Sequence, residues 1–171
     1  MNRSRIINRL AQPFRRDYNS FRNILSAGKD LSNMNIKTIT TRHFVVGEHL
    51  NHHGTLFAAR AASWFVEAGL MAAAECVPAD NIVLVKINSM SFVRPVKLGE
   101  TLCFDAAIVY AGRTSMVSHI RAIADGSTRL EGFITYVNVD SAGHSQPHGL
   151  VLEPATEEEA ALQEQAKNLP R

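Results

Sequence analysis

No apolar run in these 171 residues reaches the ~18–20 that a membrane-crossing helix needs, so stable membrane insertion is not expected. Cysteine is scarce. Cys76 and Cys103 sit among apolar neighbours without metal-ligand spacing, which suits buried free thiols in a reducing, cytoplasmic setting. No glycine-rich strand-to-helix fingerprint occurs, which argues against a dinucleotide or P-loop site. There is no internal repeat. Glycine and proline, at 10 and 6 residues, are not enriched, so neither a fibrous nor a low-complexity chain is indicated.

Strong charge of one sign is also missing overall, the balance being +2, and a nucleic-acid partner is not expected. That balance hides an asymmetry. Residues 1–34 carry Arg3, Arg5, Arg9, Arg15, Arg16, Arg22 and Lys29 against Asp17 and Asp30. Two readings stand: a flexible basic extension, with Met34 as a candidate initiator, or a targeting or anion-touching arm. The folded domain is expected over 35–150, followed by a tail at 151–171.

Residues 36–46 mix β-branched and polar side chains in rough alternation, the pattern of a half-exposed strand. A polar loop, Gly47 to Gly54, follows. From Thr55 to about Glu75 alanine recurs among Leu56, Phe57, Trp64, Phe65, Val66, Leu70 and Met71, which predicts a helix covered on nearly every side. Pro78 closes it. Strands are predicted at 82–92, at 101–111 with Leu102, Phe104, Ala106, Ile108 and Tyr110 on one face, and at 114–124 with Met116, Ser118, Ile120, Ala122 and Ala124 on one face. A stretched turn at Asp125-Gly126-Ser127 then leads into a last strand from Glu131 to Val139. Consecutive hairpins imply an antiparallel sheet, and burying so apolar a helix requires that sheet to curve around it. The tail from Ser141 ends in Glu157-Glu158-Glu159 and an alanine- and glutamine-rich stretch, read as a solvated surface helix.

Three segments carry a resemblance. They are Asn51-His52-His53-Gly54-Thr55-Leu56-Phe57-Ala58-Ala59; Phe92 to Glu100 continuing to Gly112-Arg113-Thr114-Ser115-Met116; and Gly132-Phe133 with Val137-Asn138-Val139-Asp140 and Gly143. Together they resemble the acyl-CoA hydrolase branch of the hotdog-fold thioesterases. The resemblance implies an α+β hotdog fold, a curved antiparallel sheet wrapped around one long central helix. It also implies hydrolysis of an acyl-CoA thioester without metal or organic cofactor, and a homodimer as the minimal unit, extended in related proteins to tetramers or hexamers. Two departures stand out: Ala58-Ala59 replaces the glycine pair that opens the family's helix, and the acidic residue falls on Glu67 rather than on Val66.

Glu67 lies on an otherwise apolar helix, where a carboxylate either reaches the surface, pairs with an arginine, or works as general base or nucleophile on a thioester carbonyl. First-turn N–H groups from Phe57 to Ala59 point out of the helix start, where the helix dipole favours an oxyanion. Ala59 and Glu67 are eight residues apart on one helix, about 12 Å along its axis. One carbonyl cannot meet both within a chain, so if both are catalytic a second subunit must supply one of them. Asn51 either positions the water or carbonyl, or bonds its own loop. His52 and His53 lack a third metal ligand at convincing spacing, which leaves His53 as a pocket-lining candidate beside Gly54. Arg94, Lys97 and Arg113 are candidates for the CoA phosphates. Phe57, Ala58, Thr114 and Ser115 are candidates for contact with the substrate, ordinary turn bonding being the competing role of Thr114.

Two alternatives share the fold. A hotdog hydratase or dehydratase would pair His53 with Glu67 across a dimer. An acyl-CoA-binding hotdog without turnover is favoured by Ala58-Ala59.

Overall fold

The structure, a computed structural model, describes residues 32–170. Residues 1–31 of the basic segment 1–34, which carry its charges and both of its readings, lie outside them. Strand β1 (Ser32–Asn35) precedes β2 (Ile39–Phe44), and a 3-10 turn at Gly47–His49 leads to helix α1 (Ala58–Ala74). Strands β3 (Ile82–Phe92), β4 (Thr101–Ala111), β5 (Ser115–Ala124) and β6 (Ser127–Asn138) follow, then β7 (Val151–Glu153) and helix α2 (Glu157–Lys167). Five strands form one antiparallel sheet in the order β2-β4-β5-β6-β3. The helix and the curved sheet give the expected α+β architecture.

Helix α1 buries Ala61, Trp64, Phe65, Ala68, Gly69, Ala72 and Ala73. They meet Leu102, Phe104, Ala106 and Ile108 of β4, Met116, Ile120 and Ala122 of β5, and Leu130, Ile134 and Tyr136 of β6. The mostly small residues on this face let the sheet come close. At Gly69 a Cβ would lie 2.6 Å from the Tyr136 hydroxyl and 2.9 Å from Ser118 Oγ, so those side chains use the space that a larger residue would fill. The Tyr136 hydroxyl donates to the Val66 carbonyl at 3.3 Å, tying β6 to the helix backbone.

One expectation for the helix fails. A single sheet covers one side of a cylinder, and Ser63, Glu67, Leu70 and Met71 are exposed on the other side.

Strand β3 occupies its expected span, and β4 and β5 theirs to within a residue. The β5–β6 turn, however, is tight rather than stretched. Asp125 (φ 49°) and Gly126 (φ 69°) take consecutive left-handed conformations, the geometry of a two-residue hairpin turn, and β6 begins at Ser127. Tyr110 also leaves the face assigned to it. The β4–β5 register shifts between Ile108 and Tyr110, and the extra residue flips the alternation, so Tyr110 packs on the outer cluster and Ala111 on the core.

The tail differs from expectation as well. The 151–153 segment pairs in parallel with β1, which starts ahead of the expected boundary at residue 35. Helix α2, far from being fully solvated, places Leu162 and Ala166 on Ala107, Val109, Val117 and Phe133 of the outer sheet face, joined by Leu169 just after the helix. Its Thr156 cap accepts from Glu159 N–H at 3.1 Å, and three glutamates occupy its first turn, so the acidic run suits the helix start.

Gly132 should be intolerant of substitution. A Cβ there would stand 2.1 Å from the Ser89 carbonyl oxygen, a backbone atom next to a register shift in β3. Gly132→Ala is expected to lower stability by at least the ~1–3 kcal/mol typical of overpacking, read as a lowered denaturant midpoint.

On the outer face His119 is buried, its Nε2 2.9 Å from Glu131 Oε1. Burial holds its imidazole below the ordinary value, and Glu131 pulls part of the way back. The unfolded chain therefore binds the proton more readily. This contribution to stability is complete above the unfolded value of about 6.5 and is lost as pH falls toward the lowered folded value. His119→Gln is expected to flatten that part of a stability-versus-pH curve.

Candidate active site

The turn before α1 is built by Asn51. Its Oδ1 accepts from the His53 N–H at 2.9 Å and the Thr55 N–H at 3.2 Å, and its Nδ2 donates to Thr55 Oγ1 at 3.0 Å. Gly54 closes the turn at φ 74° and donates to the Asn51 carbonyl at 3.0 Å. Of the two roles open to Asn51, these bonds supply the loop-holding one. His52 and His53 are exposed side by side on the turn, ring centroids 3.9 Å apart.

The turn delivers the chain to the loop between β3 and β4. Leu56 N–H donates to the Val96 carbonyl at 2.8 Å, and Thr55 bridges Lys97. The start of α1 and the segment bearing Arg94 and Lys97 are thereby neighbours. A cavity of about 320 Å³ lies between them, lined by Thr55, Leu56, Phe92, Arg94, Pro95 and Arg129 among others. Its floor reaches Ala61, Leu102 and Leu130 of the core.

Phe57 caps the helix without a side-chain bond. Its own N–H donates to the His49 carbonyl at 2.8 Å, which removes it from the oxyanion donors expected at the helix start. The amides of Ala58 and Ala59 remain. Neither has a backbone partner among the described residues, as first-turn amides lack intrahelical ones.

Two turns further on, Glu67 is exposed, and Ser63 Oγ donates to its Oε1 at 3.0 Å. This i, i+4 pair fixes the carboxylate along the helix. Beside it stands a cluster that sequence reasoning missed. His43 stacks on Trp64 at 4.3 Å and 11°, and His49 meets the same indole edge-on at 5.0 Å. Burial holds the His43 imidazole below its ordinary value, the Glu67 carboxylate pulls it back up, and His49 adds to the depression. A signal existed: His43 lies two residues before buried Val45 on an alternating strand, and Ser63 is four residues before Glu67.

The remaining candidates lie apart. Arg113, Thr114 and Ser115 occupy the β4–β5 turn, at the far end of β4 from the Arg94–Lys97 loop. Ten residue steps of strand separate the two ends, about 33 Å. Ser115 carbonyl accepts from Gly112 N–H at 2.8 Å, and Thr114 carbonyl from Asn138 N–H at 2.8 Å, so their backbones serve the turn. One chain thus joins Ala58, Ala59, Arg94 and Lys97 at one end, and separates them from Glu67 and from Arg113.

A single helix held in a five-stranded antiparallel sheet defines the hotdog class, and solved structures agree. A hexameric acyl-CoA thioesterase in its apo form superposes with a TM-score of 0.74 and 26% identity, covering 80% of this chain and 91% of that one. An acyl-CoA hydrolase from Staphylococcus aureus, solved with butyryl coenzyme A, coenzyme A and coenzyme A disulfide, gives 0.73 at 21% identity, over 80% and 84% of the two chains. A protein of Bacillus subtilis (strain 168) named an uncharacterized acyl-CoA thioester hydrolase is 29% identical over 119 residues, 66% of this chain and 67% of its own. Residues 53–131, from the histidine turn into β6, match the model of the thioesterase superfamily. The chain is similar to members of that superfamily over this stretch, and its fold is the hotdog fold.

The hydrogen bonds at Asn51 generate a test. Asn51→Asp keeps an oxygen for both amide donors and is expected to retain fold and most activity, whereas Asn51→Ala loses them and lowers the melting temperature. An Asn51→Asp variant that melts normally yet is inactive would instead give the side-chain amide a part in the chemistry.

Proposed function

We propose that this enzyme hydrolyses an acyl-CoA thioester to a free carboxylic acid and CoA, at a site composed from two copies of the chain. The observation that carries the reading is the separation of two complementary halves along one helix. Free amides stand at Ala58 and Ala59, and a carboxylate oriented by Ser63 stands at Glu67, about 12 Å further along. The names of the similar proteins support the substrate class.

In this reading the Ala58 and Ala59 amides, at the positive end of the helix dipole, receive the thioester oxygen as it gains charge. Glu67 of a second copy takes a proton from water as the water oxygen bonds to the carbonyl carbon. The carbon–sulfur bond then breaks, and the thiolate of CoA takes that proton from Glu67. Arg94 and Lys97, beside the helix start, suit the CoA phosphates of the same site. Arg113, Thr114 and Ser115, remote in one chain, reach such a site only from the partner copy. Phe57 stays as an exposed apolar contact, and His53 with Gly54 forms the rim. The chemistry needs no metal or organic cofactor.

Strand β3 supports the pairing. It is a sheet edge of 11 residues that exposes Val83, Leu84, Val85 and Ile87, a combination that invites another strand. An antiparallel β3–β3 pair joins two sheets and sets two α1 helices side by side in opposite directions. The amides of one then face the Glu67 of the other. Related hexameric structures give precedent for assembly of this fold. A cytoplasmic location belongs to the same reading, in keeping with the free thiols of Cys76 and Cys103.

Mixing two inactive variants tests the composite site. Glu67→Gln removes the base and is expected to lower CoA release by ~10²–10⁴-fold. Ala59→Pro removes the amide hydrogen where the first helical turn tolerates proline. Refolded together in equal amounts, they should recover up to about a quarter of native activity, since half the dimers are mixed and each keeps one intact site. No recovery from two folded, dimeric variants would sink the two-copy site, and full activity of Glu67→Gln would remove Glu67 from the mechanism. With an enoyl-CoA, hydration without thiol release would point to the hydratase alternative.

A further inference from the structure

The loop at 93–100 bears Arg94 and Lys97, and its shape is imposed from outside it. Arg129, on β6, holds it at three points. The Arg129 carbonyl accepts from Val93 N–H at 2.8 Å and from Arg94 N–H at 3.3 Å. Its guanidinium donates through Nη1 to the Pro95 carbonyl at 3.0 Å and through Nη2 to Glu100 Oε1 at 2.6 Å. The second oxygen of Glu100 accepts from the Lys97 N–H. A chain of contacts therefore runs from the half-buried guanidinium to the Pro95 carbonyl beside Arg94 and, through Glu100, to the Lys97 N–H, while the Arg129 main-chain carbonyl holds the N–H of Arg94 itself. The far end is pinned by Val45, which donates to the Glu100 carbonyl and accepts from Gly99, each at 2.9 Å.

The Arg129–Glu100 pair is poorly explained as a device for stability. Its side chains are 14% and 16% exposed, and an ion pair largely withdrawn from water is often no better than apolar residues of equal volume. Arg129 Nε, moreover, is shielded and has no acceptor among the described residues, an unfavourable state for a buried donor. Geometry is what the pair contributes. The planar fork addresses a carbonyl and a carboxylate at once, which a lysine cannot reproduce. Arg129 also lines the cavity between this loop and the start of α1.

We propose that Arg129 is a positioning residue for the nucleotide end of the substrate: through Pro95 and Glu100 it sets the loop that presents Arg94 and Lys97 to the CoA phosphates. The inference rests on the acyl-CoA reading above and adds to it a residue remote in sequence from the loop it shapes. It implies a selective defect. Loss of the clamp weakens recognition of the phosphorylated end and leaves chemistry at the thioester intact.

Steady-state kinetics on two thioesters of the same acyl group read this out, one of CoA and one of N-acetylcysteamine, which lacks the nucleotide and every phosphate. For Arg129→Met, KM for acyl-CoA should rise ~10-fold or more, as expected for misplaced charge-assisted contacts, with kcat retained. Activity on the truncated thioester should stay within ~2-fold of native, on the same principle. Arg129→Lys should behave like the methionine variant. If Arg129→Met does not fold, Glu100→Gln decides, with a smaller split of the same direction. Equal losses on both substrates, or no change on either, would overturn the proposal. Native protein that releases no CoA from any acyl-CoA would instead defeat the thioesterase reading, whereas native turnover without a split in the variants defeats only the role of Arg129.

Discussion

The small residues along one side of α1 let the sheet approach the helix backbone, and the placement of every candidate group follows from that contact. Ala61, Ala68, Ala72 and Ala73 add little bulk between helix and strands, and Gly69 leaves room for the Tyr136 hydroxyl and Ser118. Close packing of this kind fixes a helix against sliding and rotation, because side chains that interdigitate at interior density have few alternative arrangements. A helix so fixed has a defined start and a defined exposed strip. The start presents the Ala58 and Ala59 amides and the strip presents Glu67. Chemistry on this scaffold is therefore set by helix position first and by side-chain identity second.

The turn and the loop at the helix start extend the same constraint outward. Asn51 folds the turn onto itself, Leu56 and Thr55 tie it to Val96 and Lys97, and Arg129 ties that loop to the sheet. Polar groups at this end consequently hold backbone rather than stand free, and the few amides left without partners gain significance by contrast. The other end of the molecule is held differently. There Leu162 and Ala166 of α2, with Leu169 just beyond it, cover part of the outer sheet face, so the terminal segment packs on the domain.

Much of this was legible in the chain before folding was considered. The apolar run at 82–92 and the alternation in 101–111 and 114–124 located three strands to within a residue. The alanine-rich run gave the helix, and the small and acidic residues along it gave both halves of the candidate site. The errors share a cause. Tyr110 was misassigned because one bulged residue reverses the faces beyond it. The start of β6 was placed late because the turn was read as stretched, whereas Asp125 and Gly126 close it in two residues and the strand resumes at Ser127. Phe57 was counted as an oxyanion donor because its partner, the His49 carbonyl, arrives from the preceding turn.

By itself the sequence determined the α+β class, the order of strands around one helix, and the 12 Å (about eight residues at ~1.5 Å each) that keeps Ala59 and Glu67 apart. These are local or periodic properties, carried by side-chain alternation, helix propensity and the fixed rise of a helix. Only the tertiary structure decided which donors at the helix start remain free, that His43 stacks on Trp64 near Glu67, and that Arg129 governs the loop of Arg94 and Lys97. Those facts depend on groups far apart in the chain meeting at hydrogen-bond or ring-stacking distance. Such meetings are fixed by strand register and helix seating, which no short window of sequence contains.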